Sequence, residues 1–246
     1  MVCSSGIGFD PVVGGKRLTF GFEGIYQGTA VLYDHQTQSF WMHLTGECFA
    51  GAHAGTVLAR VPTGRHTTWA DWRALHPDTD VLALEKRWVG KQGDRGYFAR
   101  EGAASGAPYL PETFTQTIQE VDPRLEPSDL LHGVVVGGSA RAYPFKRLQA
   151  SPVVEETLAG VPVTVWFDAA SRSAAAFDRR VRGTTHAFLR DEAGVLRDRA
   201  TRSRWTMDGT CSAGALKGAQ LEPLRGLMSE WYGWYALHPQ TSVWGD

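Results

Sequence analysis

Reactive side chains crowd together early in this sequence. His43, Glu47, Cys48 and His53 follow one another closely, and Cys3 joins them if the fold brings the N-terminal segment alongside. A thiolate with imidazoles suits zinc or copper, and four such ligands close a tetrahedral site. We therefore take Cys3, His43, Cys48 and His53 as candidate ligands for Zn or Cu. Their spacing matches no standard zinc finger. The alternative is that the two histidines are loop residues and Cys48 is a small core residue.

Two of the side chains in this sequence are candidates for acid–base catalysis. Glu47 could act as an acid or base if it lies in a cleft. His76 follows the pair Trp69 and Trp72, and an imidazole there could act as a general base. Alternatively, His76 caps the end of a helix that Pro77 stops, and the tryptophans belong to the core. The sequence contains no nucleophile elbow, phosphate loop, dinucleotide fingerprint or zinc-protease motif.

An internal repeat indicates the elements that must position these residues. The second copy continues backwards through 140–144 and 160–165, for which the first copy has no counterpart. We predict a first repeat unit at 1–88 that is N-terminally incomplete, an irregular connector at 89–129, and a second, complete but degenerate unit at 130–246. The matching blocks are 33–41 with 197–205, 46–51 with 209–214, and 69–79 with 231–241.

Hydrophobic alternation predicts that most elements are strands. Residues 18–22 alternate as a strand, and 30–33 with 39–42 flank a polar turn as a hairpin. A second hairpin is predicted around Gly137 and Gly138. Residues 161–167 are β-branched and apolar, which predicts a buried strand.

Helices are predicted to be few and short. Thr67 or Thr68 can cap a helix that carries both tryptophans and His76 on one face, and Ser229 begins its counterpart in the second unit. The fold class that follows is α+β and β-rich, with two related units of antiparallel or mixed sheet.

Composition excludes several classes of protein. The 246 residues carry 25 basic against 26 acidic side chains, a net charge of −1, whereas nucleic-acid or anionic-membrane binding needs a basic excess. No apolar stretch approaches the roughly 18 residues of a membrane span, and no signal peptide is recognised. Three cysteines are too few for a disulfide framework. We expect a cytoplasmic location by default, or an extracytoplasmic one if the N-terminus is truncated.

Several long strings resemble a prokaryotic family catalogued as domain of unknown function 3179. The resemblance covers nearly the whole chain in family order, and it implies the two-unit layout without implying an established activity. The strings are LYDHQTQSFWMHLTGECFAGAHAGTVL, TTWADWRALHPDTDVL, DPRLEPSDLLHGVVVGGSARAYPF, LAGVPVTVWFD and SRWTMDGTCSAGALKGAQLEPL.

The resemblance also bears on Cys3. Members of the family typically carry a Cys-x-x-Cys after a strand similar to GVPVTV, and Cys3 matches the second of those cysteines. In the second unit the two positions are Asp168 and Ser171, so that copy lacks the thiols. A histidine that often precedes the strand in the family corresponds to Ser151.

Two functional hypotheses follow. The first is a metal-binding protein or thiol-dependent enzyme whose site lies in the N-terminal unit, with a small molecule or a metal ion as partner. The second is a non-catalytic binding or scaffold module built from two structural repeats. The incomplete N-terminal edge also predicts pairing into a homo-oligomer, since exposed edge strands recruit other strands.

Overall fold

The computed structural model describes residues 3–61, 66–81, 116–120 and 122–246. Strands predominate in that part of the chain, and the helices are short. The fold is therefore β-rich and α+β, as the sequence predicts, and its two similar meanders are consistent with the predicted two units. Of the predicted connector, residues 89–115 and 121 lie outside the described residues. The boundaries of the predicted units stay a prediction.

The first unit is built on a four-stranded antiparallel meander, in which each strand pairs with the next one along the chain. Leu18, Trp41, Cys48 and Leu58 form its buried core. The elements are β1 (Val12–Val13), β2 (Lys16–Arg17), β3 (Phe20–Tyr26), β4 (Thr29–Asp34), β5 (Phe40–Met42), β6 (Cys48–Ala50) and helix α1 (Trp69–Leu75).

The second unit holds two four-stranded sheets and a meander like that of the first unit. Its elements are β7 (Leu130–Val136), β8 (Ser139–Pro144), α2 (Phe145–Leu148), β9 (Val153–Leu158), β10 (Val161–Asp168), β11 (Ser173–Asp178), β12 (Arg180–Val181), β13 (Thr184–Thr185), β14 (Phe188–Arg190), β15 (Leu196–Asp198), β16 (Arg204–Trp205), β17 (Cys211–Ala213), β18 (Glu222–Pro223), β19 (Gly226–Glu230), α3 (Trp231–Leu237) and β20 (Ser242–Val243). The strand orders are β18-β11-β10-β9, β19-β7-β8-β20 and β14-β15-β16-β17, and β12 pairs with β13. The pairing of β20 with β8 is parallel.

The two meanders contain equivalent internal hydrogen bonds. In the first, the indole Nε1 of Trp41 donates to Asp34 over 3.0 Å, and in the second Trp205 donates to Asp198 over 3.3 Å. Each aspartate closes the turn that follows its own strand, where it accepts hydrogen bonds from a threonine three residues later. Such Asx turns are set by local sequence, which explains why this block recurs in both units.

The two units differ in what covers their helices. Helix α1 has no buried residue, and Trp69 is 53% exposed. Most of helix α3 is buried, because it packs on the sheet that contains β7. Any side chain at Gly133 of β7 would overlap the ring of Trp234 in α3. The corresponding helices therefore lie in different environments.

Most of the predicted elements are observed. The two predicted hairpins correspond to β4–β5 and β7–β8, and the predicted buried strand is β10. The side chain of Thr68 accepts a hydrogen bond from Asp71 N, which confirms the predicted cap of α1. The prediction that Ser229 begins the second helix is wrong, since Ser229 pairs with Leu131 inside β19 and Glu230 is the N-cap of α3. The strand predicted at 18–22 begins later, at Phe20.

Candidate thiol–imidazole site and the neighbouring cleft

Two of the predicted metal ligands, Cys3 and His43, are in contact. The Sγ atom of Cys3 lies 3.8 Å from Nε2 of His43 and 3.3 Å from Oγ of Ser5. Cys3 and Ser4 both have positive φ angles, 48° and 53°, which non-glycine residues adopt at a cost. Contacts with the rest of the protein hold this unusual turn in place.

The second unit anchors Cys3. The hydroxyl of Tyr232 in α3 accepts a hydrogen bond from Cys3 N over 2.9 Å, and Glu230 N donates to Cys3 O over 3.0 Å. Ser4 Oγ donates to a carboxylate oxygen of Glu230 over 2.8 Å. Gly233 lies beneath the cysteine, and a Cβ there would come within 2.6 Å of Cys3 Cβ. The start of α3 therefore presents the cysteine to the first unit.

His43 is oriented by the backbone of β4. Its Nδ1 lies 3.0 Å from Ala30 N and 3.2 Å from Ala30 O, so this nitrogen can accept or donate according to the tautomer. Burial lowers the pKa of His43, and the hydrogen bond to Ala30 only partly opposes that effect. The ring is consequently a neutral imidazole that turns its other nitrogen to Cys3.

Cys3 is a neutral thiol in this environment. The side chain is 1% exposed, and burial raises the pKa of Cys3 to about 11, against a smaller lowering by the hydrogen bond with Ser5. Nucleophilic cysteines have lowered pKa values and partly exposed sulfurs. The surroundings of Cys3 are thus unsuited to a free thiolate nucleophile.

Cys48 and His53 lie apart from this pair. Cys48 belongs to the core of the first unit, where its Sγ donates to Ala50 O over 3.3 Å, just as Cys211 donates to Ala213 O over 3.4 Å. The ring of His53 packs 5.9 Å from that of Trp41. Among the described residues, no group of three or more His, Cys, Asp and Glu side chains is arranged to hold a metal ion.

The two predicted acid–base residues are both exposed. Glu47 lies on the surface, and its backbone forms an isolated bridge with Val57. His76 ends α1, with its N–H donating to Trp72 O over 2.8 Å and its ring 4.2 Å from the Trp72 ring. His238 has the same arrangement with Trp234 in the second unit, with ring centroids 4.2 Å apart. The geometry of His76 is that of a helix cap.

Sequence reasoning missed a cleft of about 560 Å³ between the N-terminal segment, α1 and the strands β11, β18 and β19. It brings together Arg60, His132 and Arg225, and His76 lies at its margin. Arg60, His132 and Arg225 are far apart in the sequence, and no catalytic or binding motif contains them. Their convergence could not be read from local sequence.

The fold is that of a β-rich α+β protein with two similar four-stranded meanders. The chain belongs to the family described as protein of unknown function, DUF3179, whose model matches residues 1–241. The resemblance seen in the sequence is thereby confirmed. No curated protein and no solved structure matches the chain. Within the part that the structure describes, no helix has the length and apolar character to cross a membrane.

Proposed function

We propose that the protein binds one soft metal ion, Cu(I), through Cys3 Sγ and His43 Nε2. The observation that carries the proposal is the 3.8 Å separation of these two atoms. With the zinc–sulfur and zinc–nitrogen bond lengths of about 2.3 and 2.0 Å as a guide, two ligands of one ion lie about 3.5 Å apart at a tetrahedral angle and about 4.3 Å apart when opposite. The observed separation falls within that interval, so the distance is compatible with one shared ion.

The small number of ligands favours copper over zinc. A structural zinc site takes four ligands, and the described residues supply no third His, Cys, Asp or Glu to this pair. A thiolate is the soft ligand that selects Cu(I), and Cu(I) accepts low coordination numbers. The neighbouring Ser5 hydroxyl, 3.3 Å from the sulfur, is a neutral oxygen that adds no charge to the site.

The surroundings of the pair suit a bound metal. A coordinated thiol loses its proton outright, so the neutral state of Cys3 without metal is no obstacle. A metal on Nε2 requires the tautomer in which Nδ1 of His43 donates to Ala30 O, 3.2 Å away, instead of accepting from Ala30 N at 3.0 Å; metal-bound histidines usually donate their second ring N–H to a carbonyl in this way. The burial of Cys3 also shields a bound ion from exchange with water.

The test is a Cu(I) titration under reducing conditions in competition with a chromophoric chelator. We expect one equivalent to bind to the unaltered protein and none to Cys3→Ser or His43→Gln. Cys211→Ala is the matched control, since it removes another buried thiol and should retain the full equivalent. Binding that survives in Cys3→Ser, or its absence from the unaltered protein, would contradict the proposal and favour a non-catalytic binding or scaffold module.

A further inference from the structure

We propose that the cleft between the two units binds a small organic anion with an apolar body. The cleft encloses about 560 Å³, within the range of roughly 300 to 1,000 Å³ that small-molecule sites occupy. It lies outside the Cys3–His43 pair, and its ligand does not depend on a bound metal.

Two guanidinium groups give the cleft its charge. Arg60 and Arg225 both line it. Burial lowers the pKa of Arg60, and the positive charge of the nearby Arg225 lowers it further. Arg60 donates to Leu44 O over 2.7 Å, and no carboxylate among the described residues forms an ion pair with either arginine. Like charges held together without a counterion attract an anion.

The acidic residue among the described lining residues forms no ion pair with these two arginines. Asp208 is already engaged in its own turn, where its carboxylate accepts hydrogen bonds from the Thr206 hydroxyl and from Thr210 N. Arginine forks match carboxylate and phosphate oxygens geometrically, so the pair can hold either group.

A buried imidazole borders the cleft. His132 is 4% exposed, and its Nε2 is excluded from water, has no hydrogen-bond partner among the described residues and packs against Gly226. The ring is therefore part of the wall, and the two arginines supply the polar contacts to the ligand.

Apolar side chains line much of the remaining wall, and they favour a ligand with an apolar body. Strand β11 contributes Ala174, Ala175 and Ala176, small side chains that leave room, while Trp72 and Leu227 supply larger apolar surfaces. A bare inorganic anion would leave these walls uncovered. An aromatic or aliphatic body joined to one anionic group would fill the cleft and satisfy the arginines.

The test compares three probes by isothermal titration calorimetry: 2-naphthoate, the cationic 2-naphthylmethylammonium of similar shape, and inorganic phosphate. We expect 2-naphthoate to bind and the two other probes to bind at least about tenfold more weakly. Arg225→Gln should weaken naphthoate binding about tenfold or more, because it removes one of the two guanidinium groups. Among the described residues the Arg225 side chain has no hydrogen-bond or ion-pair partner, so we expect the variant to fold. Arg60→Gln should do the same, with circular dichroism reporting whether it stays folded.

Arg204→Gln is the matched control, because Arg204 is exposed on β16 away from the cleft and should leave binding unchanged. Equal binding of naphthoate to Arg225→Gln and to the unaltered protein would overturn the proposal. So would equal binding of the cationic probe, or no naphthoate binding at all. If phosphate binds as tightly as naphthoate, the inference that the ligand has an apolar body is wrong.

Discussion

The indole of Trp41 donates a 3.0 Å hydrogen bond to the carboxylate of Asp34, and both side chains are fully excluded from water. Burial alone would raise the pKa of Asp34, but hydrogen bonds from Trp41, Thr37 and Ser39 outweigh it and hold the pKa below its ordinary value. Asp34 is therefore a buried carboxylate that its own turn keeps ionised. The same pair recurs as Trp205 and Asp198, over 3.3 Å.

Replacing this carboxylate tests how much the turn contributes to stability. Asp34→Asn turns a donating amide toward groups that are already donors, and it should lower the free energy of unfolding by about 2 to 3 kcal/mol. Urea denaturation measures the change. Glu192→Gln, at an exposed turn, is the control and should change stability by less than about 0.5 kcal/mol. An Asp34→Asn protein as stable as the control would refute the role of the turn.

Gly233 should be essential for docking the N-terminal segment on α3. In Gly233→Ala the new methyl would meet Cys3 Cβ at 2.6 Å, so we expect a loss of about 1 to 3 kcal/mol in unfolding free energy, measured by thermal denaturation. Cu(I) binding should weaken as well, because Cys3 must move. In Gly24→Ala, where no atom of the described residues lies within 4 Å of the added Cβ, both properties should be preserved. Unchanged Cu(I) affinity in Gly233→Ala would show that Cys3 does not depend on this contact.

His132 should make stability sensitive to acid. Burial lowers the pKa of His132 to about 4, with a further contribution from His66. An unfolded histidine takes up its proton near pH 6.5, so the folded state binds fewer protons between about pH 6.5 and 4. Stability present above pH 6.5 is therefore lost as the pH falls through that window, by about 1.4 kcal/mol for each pH unit.

The variant His132→Asn removes this titration. Its unfolding free energy, measured by urea denaturation between pH 7 and 5, should fall less steeply than that of the unaltered protein. The difference in slope should approach about 1.4 kcal/mol for each pH unit below pH 6.5. His35→Gln, at an exposed position, should keep the original profile. A His132→Asn profile as steep as the original would assign the acid sensitivity to other groups.

The two corresponding tryptophans should differ in their contribution to stability. Trp72 and Trp234 make equivalent hydrogen bonds, to Thr79 over 3.0 Å and to Thr241 over 2.9 Å. Trp234 is 1% exposed beneath the β7 sheet, whereas Trp72 is only partly buried at the cleft. Trp234→Ala should cost about 3 to 5 kcal/mol and Trp72→Ala clearly less. Calorimetric unfolding measures both, and equal losses would mean that α1 is as well covered as α3.

Much of the local structure could be predicted from the sequence. The hairpins around residues 35–38 and at Gly137–Gly138 follow from turn chemistry, and the Thr68 cap follows from a side chain that satisfies a free N–H at a helix start. Ser229 is also a good capping residue by type, but it does not cap α3. Its pairing with Leu131 in the sheet determined its conformation instead.

The sequence by itself determined the Asp34–Trp41 turn and its copy, because the hydrogen bonds that the Asp34 and Asp198 carboxylates accept all come from residues a few positions further along the chain. The sequence also made Cys3, His43, Cys48 and His53 candidate metal ligands alike, since residue type alone cannot distinguish a ligand from a core thiol. Only the tertiary structure showed which of the four are in contact. The Cys3–His43 pair and the cleft are formed by long-range packing of α3 and β19 against the first unit. Patterns of neighbouring residues cannot predict such contacts, because the residues involved are far apart in the sequence.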